Sequence, residues 1–128
     1  MSFKSKLKVG GKEVNILNVS YDLFQEVDAT GRPSSITRGG KITITVESTG
    51  DSFFAEWAVD NFNRQDGSVV FVKRDTDATL KELKFTEAYM VKYNETFDST
   101  GTTPLLETFT ISAKELTCVN MAFANEWV

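Results

Sequence analysis

The chain reads as a mainly β protein, an antiparallel β-barrel or tight sandwich that carries one α-helix at about residues 51–64. Three observations predict this: repeated period-two alternation of apolar and polar residues, Gly- and Asp-containing turns between those runs, and one stretch where aromatic residues recur at helical spacing. With 128 residues, of which 41% are hydrophobic and 25% charged, the chain is too apolar for disorder and long enough to bury one core. Residues 1–128 are therefore expected to form a single domain.

The first run is Phe3 to Val9, where Phe3, Leu7 and Val9 alternate with Lys4, Lys6 and Lys8. The lysines predict a polar edge strand. Gly10-Gly11 supplies two residues that tolerate positive φ, as a tight hairpin requires, and Val14 to Val19 returns as the second strand. Tyr21 to Val27 is expected to continue it or to form a third. Asp28 to Gly40 combines Gly, Pro, Ser and Thr without an apolar period and reads as a long exposed loop. Lys41 to Glu47 restores alternation, with Ile42, Ile44 and Val46 on one face.

The helix follows. Asp51 or Ser52 is placed to cap it, Phe53, Phe54, Trp57, Ala58 and Phe62 form its aromatic stripe, and Gly67 is expected to close it. Such a stripe lacks the polar groups that orient a ligand, so packing against the sheet is the expected role. Val69 to Lys73 is apolar on both faces and predicts a strand buried between layers or at a subunit contact. A turn at Asp75-Thr-Asp-Ala leads to a long strand with Leu83, Phe85, Tyr89, Val91 and Tyr93 on one face and Lys84, Thr86, Ala88 and Lys92 on the other. After the turn Phe97 to Pro104, Leu105 to Leu116 places Leu105, Phe109, Ile111 and Ala113 inward and Thr108, Thr110, Ser112 and Lys114 outward.

Reactive chemistry has little support. Histidine is absent, which removes Ser-His-Asp and Cys-His arrangements and the commonest metal ligand together. Asp75-Thr-Asp77 has the form of a cation-binding pair, but it stands where a turn is needed, and Asp favours turns for its own reasons. Glu26 with Asp28 and Glu82 with Glu87 are carboxylate pairs with no sign of convergence. Cys118, the single cysteine, lacks a base to activate it and excludes an intrachain disulfide. No glycine-rich phosphate loop is present. No catalytic residue, cofactor or metal site is assigned, and the chain is expected not to be an enzyme. A net charge of −4 gives no reason to seek nucleic acid. No apolar run is long enough for a signal peptide or a bilayer span, so membrane insertion is not expected.

The order of elements, and a set of local words within it, resembles the haemolysin-coregulated tube proteins of type VI secretion, themselves similar to phage tail-tube proteins. The words are Thr30-Gly-Arg-Pro-Ser-Ser-Ile-Thr-Arg-Gly-Gly40, Glu47-Ser-Thr-Gly-Asp51, Phe71-Val-Lys-Arg-Asp75, Leu80-Lys-Glu-Leu-Lys-Phe85, Glu87-Ala-Tyr89, Val91-Lys-Tyr93 and Asn125-Glu-Trp-Val128. They match the shorter branch of that family and cover nearly the whole chain. The resemblance implies a homo-hexameric ring, rings stacked into a hollow tube, and contractile sheath, baseplate and spike proteins as partners. It also implies effector proteins held in the lumen, cytoplasmic assembly, and export through the apparatus without a signal peptide. Within the long loop, Arg32, Ser34, Ser35 and Arg38 are the candidate ring-stacking residues, set to reach the adjacent ring. Rows such as Thr43/Thr45 and Thr108/Thr110/Ser112 suit a wet lumen and equally any solvated sheet. The competing reading is a monomeric barrel that binds a small apolar ligand, which the chain's ten Phe, three Tyr and two Trp would crowd out.

Overall fold

The computed structural model describes residues 3–73, 75–76, 78–102, 104–119 and 121–125. Arg74, Asp77 of the Asp75-Thr-Asp77 motif, Thr103 and the closing Glu126-Trp-Val128 lie outside the described residues. The elements run β1 (Phe3–Val9), β2 (Lys12–Tyr21), β3 (Lys41–Glu47), α1 (Phe53–Val59), β4 (Arg64–Lys73), β5 (Thr79–Phe97), β6 (Leu105–Ser112), β7 (Glu115–Cys118) and β8 (Met121–Ala124). All pairings are antiparallel, in the order β4-β1-β2-β3-β6-β5-β7-β8, and β4 also pairs β5. That extra pairing closes β1, β2, β3, β6, β5 and β4 into a barrel, with β7 and β8 as a flap on its side.

The first hairpin forms as its glycines dictate. Val9 faces Lys12 across a two-residue turn in which Gly10 and Gly11 have φ of 57° and 78°, the left-handed pair that matches strand twist. The lysine-rich β1 is nevertheless no edge strand: β2 and β4 pair with it on either side. Its lysines are explained by the wall they share. Lys4 and Lys6 are the direct neighbours of Val72 and Val70, which are buried although they point away from the main core. Long lysine stems can lie along such an apolar wall, and the Lys6 ammonium ends at Glu13, 3.4 Å away. β4 is buried on both faces, as its sequence predicts.

Inside the barrel, Leu7, Ile42, Ile44, Val69, Leu83, Phe85, Phe109, Ile111 and Leu116 pack into one core, with Cys118 at its margin. Helix α1 closes one end. It is shorter than its aromatic spacing predicts: Phe54 and Trp57 are buried, but the helix stops at Val59, and Phe62 is 86% exposed. Trp57 ends it, because its indole N–H donates to the Asn63 carbonyl 3.0 Å away and pulls the chain out of helical register into β4. Ser52 stands at the N-cap, yet its hydroxyl donates to Glu56, and Asp51 instead accepts from the Phe53 N–H. Phe54 stacks on Phe109 with centroids 4.6 Å apart, and burial of each such ring contributes roughly 2–3 kcal/mol. Gly67 does not close the helix. It lies within β4, where its bare Cα lets the Lys8 carbonyl and the Phe85 ring approach.

The long β5 changes face partway. Leu83 and Phe85 point inward as expected, but after Glu87 the inward residues are Ala88 and Met90, and Val91 is 54% exposed. The cause is a bulge. Glu87 has φ 48° and its N–H donates to Asp66, while its carboxylate pairs with Arg64 at 2.9 Å and Lys114 at 3.6 Å. One irregular residue exchanges the faces of the side chains that follow it, until a second register shift between Met90 and Lys92 returns Tyr93 to the inner face opposite Phe109, where its sequence spacing places it. The segment 105–116 is likewise broken in two: β6 ends at Ser112, and β7 resumes at Glu115 opposite Thr86.

Candidate assembly surfaces

The segment between β2 and β3 is a hairpin arm rather than a loose loop or a third strand. Phe24 bridges Arg38 and Val27 bridges Pro33, and the Phe24 and Arg38 backbones exchange hydrogen bonds of 2.9 and 2.6 Å. The tip is an Asp28-centred turn: the carboxylate accepts from the Thr30 N–H and hydroxyl and from the Arg32 N–H. Those bonds, led by the Thr30 hydroxyl, hold the Asp28 carboxyl below the usual range. The root is fastened to the flap, since Asn125 donates to the Gly39 and Ala113 carbonyls and the Ala113 N–H donates to Gly40.

The four arm residues singled out by sequence divide into two kinds. Arg32 at the tip and Arg38 near the root are exposed; Arg38 approaches Glu26 at 3.4 Å, and no carboxylate pairs with Arg32 among the described residues. Ser34 and Ser35 form rungs, the Ser34 N–H donating to the Glu26 carbonyl and the Ser35 hydroxyl accepting from the Glu26 N–H. Leu23, Phe24, Val27 and Ile36 are apolar and exposed along the same arm. Neither a third strand nor a loose loop would hold arginines and apolar residues in such a projecting frame.

Strand edges are the second surface. β1 meets β2 only as far as Ile16, so Asn18 to Tyr21 pairs on one side alone among the described residues. β4 reaches β5 only as far as Tyr89, leaving Met90 to Phe97 paired with β6 alone. The sheet β2-β3-β6-β5 thus has unpaired main-chain groups at both lateral margins, which are ready acceptors for another strand. Its outer face carries hydroxyl pairs, Thr43 with Thr110 and Thr45 with Thr108, each at 3.1 Å.

At the barrel rim beside α1 sits a group the sequence reading missed. Glu107 continues the inward row of Phe109 and Ile111 and is 3% exposed. It accepts from the Ser48 hydroxyl at 3.0 Å and faces Glu95 directly across the strand pair. Burial raises its pKa, Ser48 opposes the rise, and the Glu95 charge adds to it. Burial and the charges of Glu107 and Glu95 push the neighbouring Tyr93 up to about 12. Beside this rim Lys12 pairs with Asp51 and holds that carboxyl below its ordinary value.

A sign follows for stability. A carboxyl whose folded pKa is raised favours the folded state at low pH, and that contribution is lost as pH rises through the elevated value. Exposed Asp28, Asp51 and Asp98, with lowered values, act oppositely on the acid side. Glu107→Gln is therefore expected to melt higher than the parent chain at neutral pH, by about 1 kcal/mol. The gap should shrink as pH falls into the carboxylate range. Urea melts of both proteins across pH check this, and parallel profiles would refute it.

No group of three or more metal-ligating side chains is gathered among the described residues. Among the described residues no helix is long and apolar enough to cross a membrane. The interior is occupied by Trp57, Phe85 and Phe109 among others, each under 2% exposed, in place of a ligand chamber. The barrel is filled, and its distinguishing surfaces are the arm and the two open sheet margins.

The family model described as Hemolysin coregulated protein Hcp (TssD) matches residues 1–128. Hcp1 from Flavobacterium johnsoniae is 59% identical over 95% of this chain and 99% of its own, with a TM-score of 0.92. Hcp1 from Salmonella typhimurium shares the fold at 12% identity, covering 96% of this chain and 92% of its own, with a TM-score of 0.76. A chain of the sheath-tube complex of the PVC extracellular contractile injection system does so at 16% identity, 95% and 89% coverage, and a TM-score of 0.59. Among curated proteins none matches. The chain belongs to the Hcp (TssD) family of structural tube proteins, whose members are secreted through type VI systems.

Proposed function

We propose that this chain is the inner-tube subunit of a type VI apparatus, acting through contacts between identical copies. Its copies close into hexameric rings, the rings stack through the arm, and contraction of a surrounding sheath expels the tube with its spike. Baseplate and spike proteins are its partners at the tube end, and small effector proteins travel in the lumen. Assembly takes place in the cytoplasm, and export needs no cleaved signal.

The observation that carries this reading is the four-stranded sheet with two unpaired margins. A head-to-tail ring needs two complementary lateral surfaces on each copy. Main-chain donors and acceptors at Asn18–Tyr21 and Met90–Phe97 supply them, because strand addition satisfies both edges at once. The Thr43/Thr110 and Thr45/Thr108 face then lines the lumen, a hydroxylated surface of low adhesiveness for passing cargo. The arm adds the axial contact. Reversing both of its charges with Arg32→Glu and Arg38→Glu is expected to remove stacks while single rings persist, as seen by negative-stain electron microscopy. Stacks of unchanged length would overturn the arm's role.

A further inference from the structure

The β5–β6 ladder sets two carboxylates against each other at the barrel rim. Glu95 and Glu107 are directly opposed, in the same row as Tyr93 and Phe109. Like charges so placed destabilise a strand pair, and the penalty grows as water is withdrawn. Water is already scarce on one side: Glu107 is 3% exposed, whereas Glu95 is open to solvent.

The groups around the pair leave it negative. After β3, the Ser48 hydroxyl donates to Glu107, and Asp51 adds a further negative charge. Lys12, from the first hairpin, draws the other way, but its ammonium is engaged by Asp51. β3 contributes only apolar Val46 as the neighbour of Glu107, and the first-turn Glu56 of α1 is held by the Ser52 hydroxyl. Lys92 stands on the other face of β5, opposite Thr110 in the hydroxyl rows.

Glu95 also lies within the Met90–Phe97 margin, which the tube reading joins to Asn18–Tyr21 of the next copy. Those four residues, Asn, Val, Ser and Tyr, bring no cation, and acidic Asp22 follows them. Lys4 on β1 belongs to the row of Val72, which points away from the main core. A strand added beside Glu95 therefore removes water from the pair without supplying a countercharge. A proton neutralises it instead, because drying and a like charge both favour the protonated carboxyl.

We propose that ring closure takes up a proton at the Glu95–Glu107 pair, so that mild acid favours the ring and neutral pH favours separate copies. The inference rests on the tube reading above and adds to it a regulation by pH. Its sign follows from linkage: a state that binds more protons gains as pH falls. Burial and the Glu95 charge, which hold the Glu107 carboxyl above its ordinary range in the single subunit, act in the same direction.

Sedimentation of the purified chain from the carboxylate range to neutrality tests this, with Glu107→Gln, Glu95→Gln and the control Glu13→Gln, a carboxylate on the outer wall beside Lys6. The parent's association per contact is expected to strengthen as pH falls, by up to about tenfold per pH unit for one proton taken up. Either rim variant should associate several-fold more tightly than the parent at neutral pH and lose most of the slope, while Glu13→Gln keeps it. Rings that form with a flat profile, or rim variants whose slope parallels the parent's, would overturn the inference and leave the tube reading standing. Absence of rings in the parent and both variants at every pH would overturn the tube reading, and this inference with it. Melting curves check folding, and Glu95→Gln, which changes an exposed side chain, decides the matter by itself if Glu107→Gln fails to fold.

Discussion

Gly67→Ala is expected to cost the subunit about 3 kcal/mol or more, a large part of the stability of an ordinary domain. A Cβ at this position would stand 2.3 Å from the Lys8 carbonyl oxygen, 2.8 Å from the Phe85 ring and 3.1 Å from Val9 Cβ. The first contact is with backbone at the last pair of the β1–β4 ladder, where Val9 faces Gly67. No rotamer change relieves it. Relief requires β1 and β4 to separate, and that breaks the closure of the barrel beside the Gly10–Gly11 turn. Chemical denaturation followed by circular dichroism measures the loss, and a midpoint within error of the parent would refute the account. Gly11→Ala, where nothing lies within 4 Å but φ is 78°, isolates conformational strain and should cost only about 1 kcal/mol.

Phe109→Ala is expected to have the largest effect of all, about 3–5 kcal/mol. Phe109 is 1% exposed and pairs with Ile44 and Tyr93 on either side. Its loss opens a cavity between the sheet and the helix. It also removes the ring on which Phe54 stacks, so α1 loses its seat. With seven residues the helix is too short to persist by itself, and the rim around Ser48, Asp51 and Glu107 should loosen with it. Hydrogen exchange distinguishes this from a uniform loss: amides of 53–59 should become the least protected of the core elements, and evenly lowered protection would contradict the coupling of helix to sheet. Phe109→Leu should retain more than half of the stability.

Much of the fold was legible because its signals are local. Gly10-Gly11 had to turn, Ile42, Ile44 and Val46 had to share a face, and Val69 to Val72 had to be covered on both sides. The barrel, the helix and the single core follow from those patterns. What escaped the sequence depends on residues meeting across the chain. Lys4 and Lys6 imitate an edge, but their role is set by Val70 and Val72 in a strand some sixty residues away. The face change in β5 arises at Glu87, whose positive φ is held by Asp66, Arg64 and Lys114, and no periodicity announces such a bulge. Phe62 fits a helical stripe, but Trp57 claims the Asn63 carbonyl and ends the helix first.

The candidate surfaces divide in the same way. Arg32 and Arg38 could be singled out because a long polar segment leaves its charges exposed. Its organisation into a paired arm could not be read, since the rungs depend on Glu26 meeting Ser34 and Ser35. Glu107 looked like an ordinary member of an alternating strand. An acidic residue on the inward row, in phase with Phe109 and Ile111, was the available signal, and only the closing of the rim over it makes it unusual.

The position of β6 has a consequence for how the protein is made. It lies between β3 and β5 in space, yet it follows every other barrel strand in the chain. A polypeptide emerging from the ribosome therefore cannot shut its barrel until 105–112 are free, and the sheet β2-β3-β6-β5 stays in two halves until then. Such long-range pairing is slow and leaves sticky strand margins bare in the meantime. A half-made chain therefore holds β3 and β5 apart, the strand that pairs with both still to come.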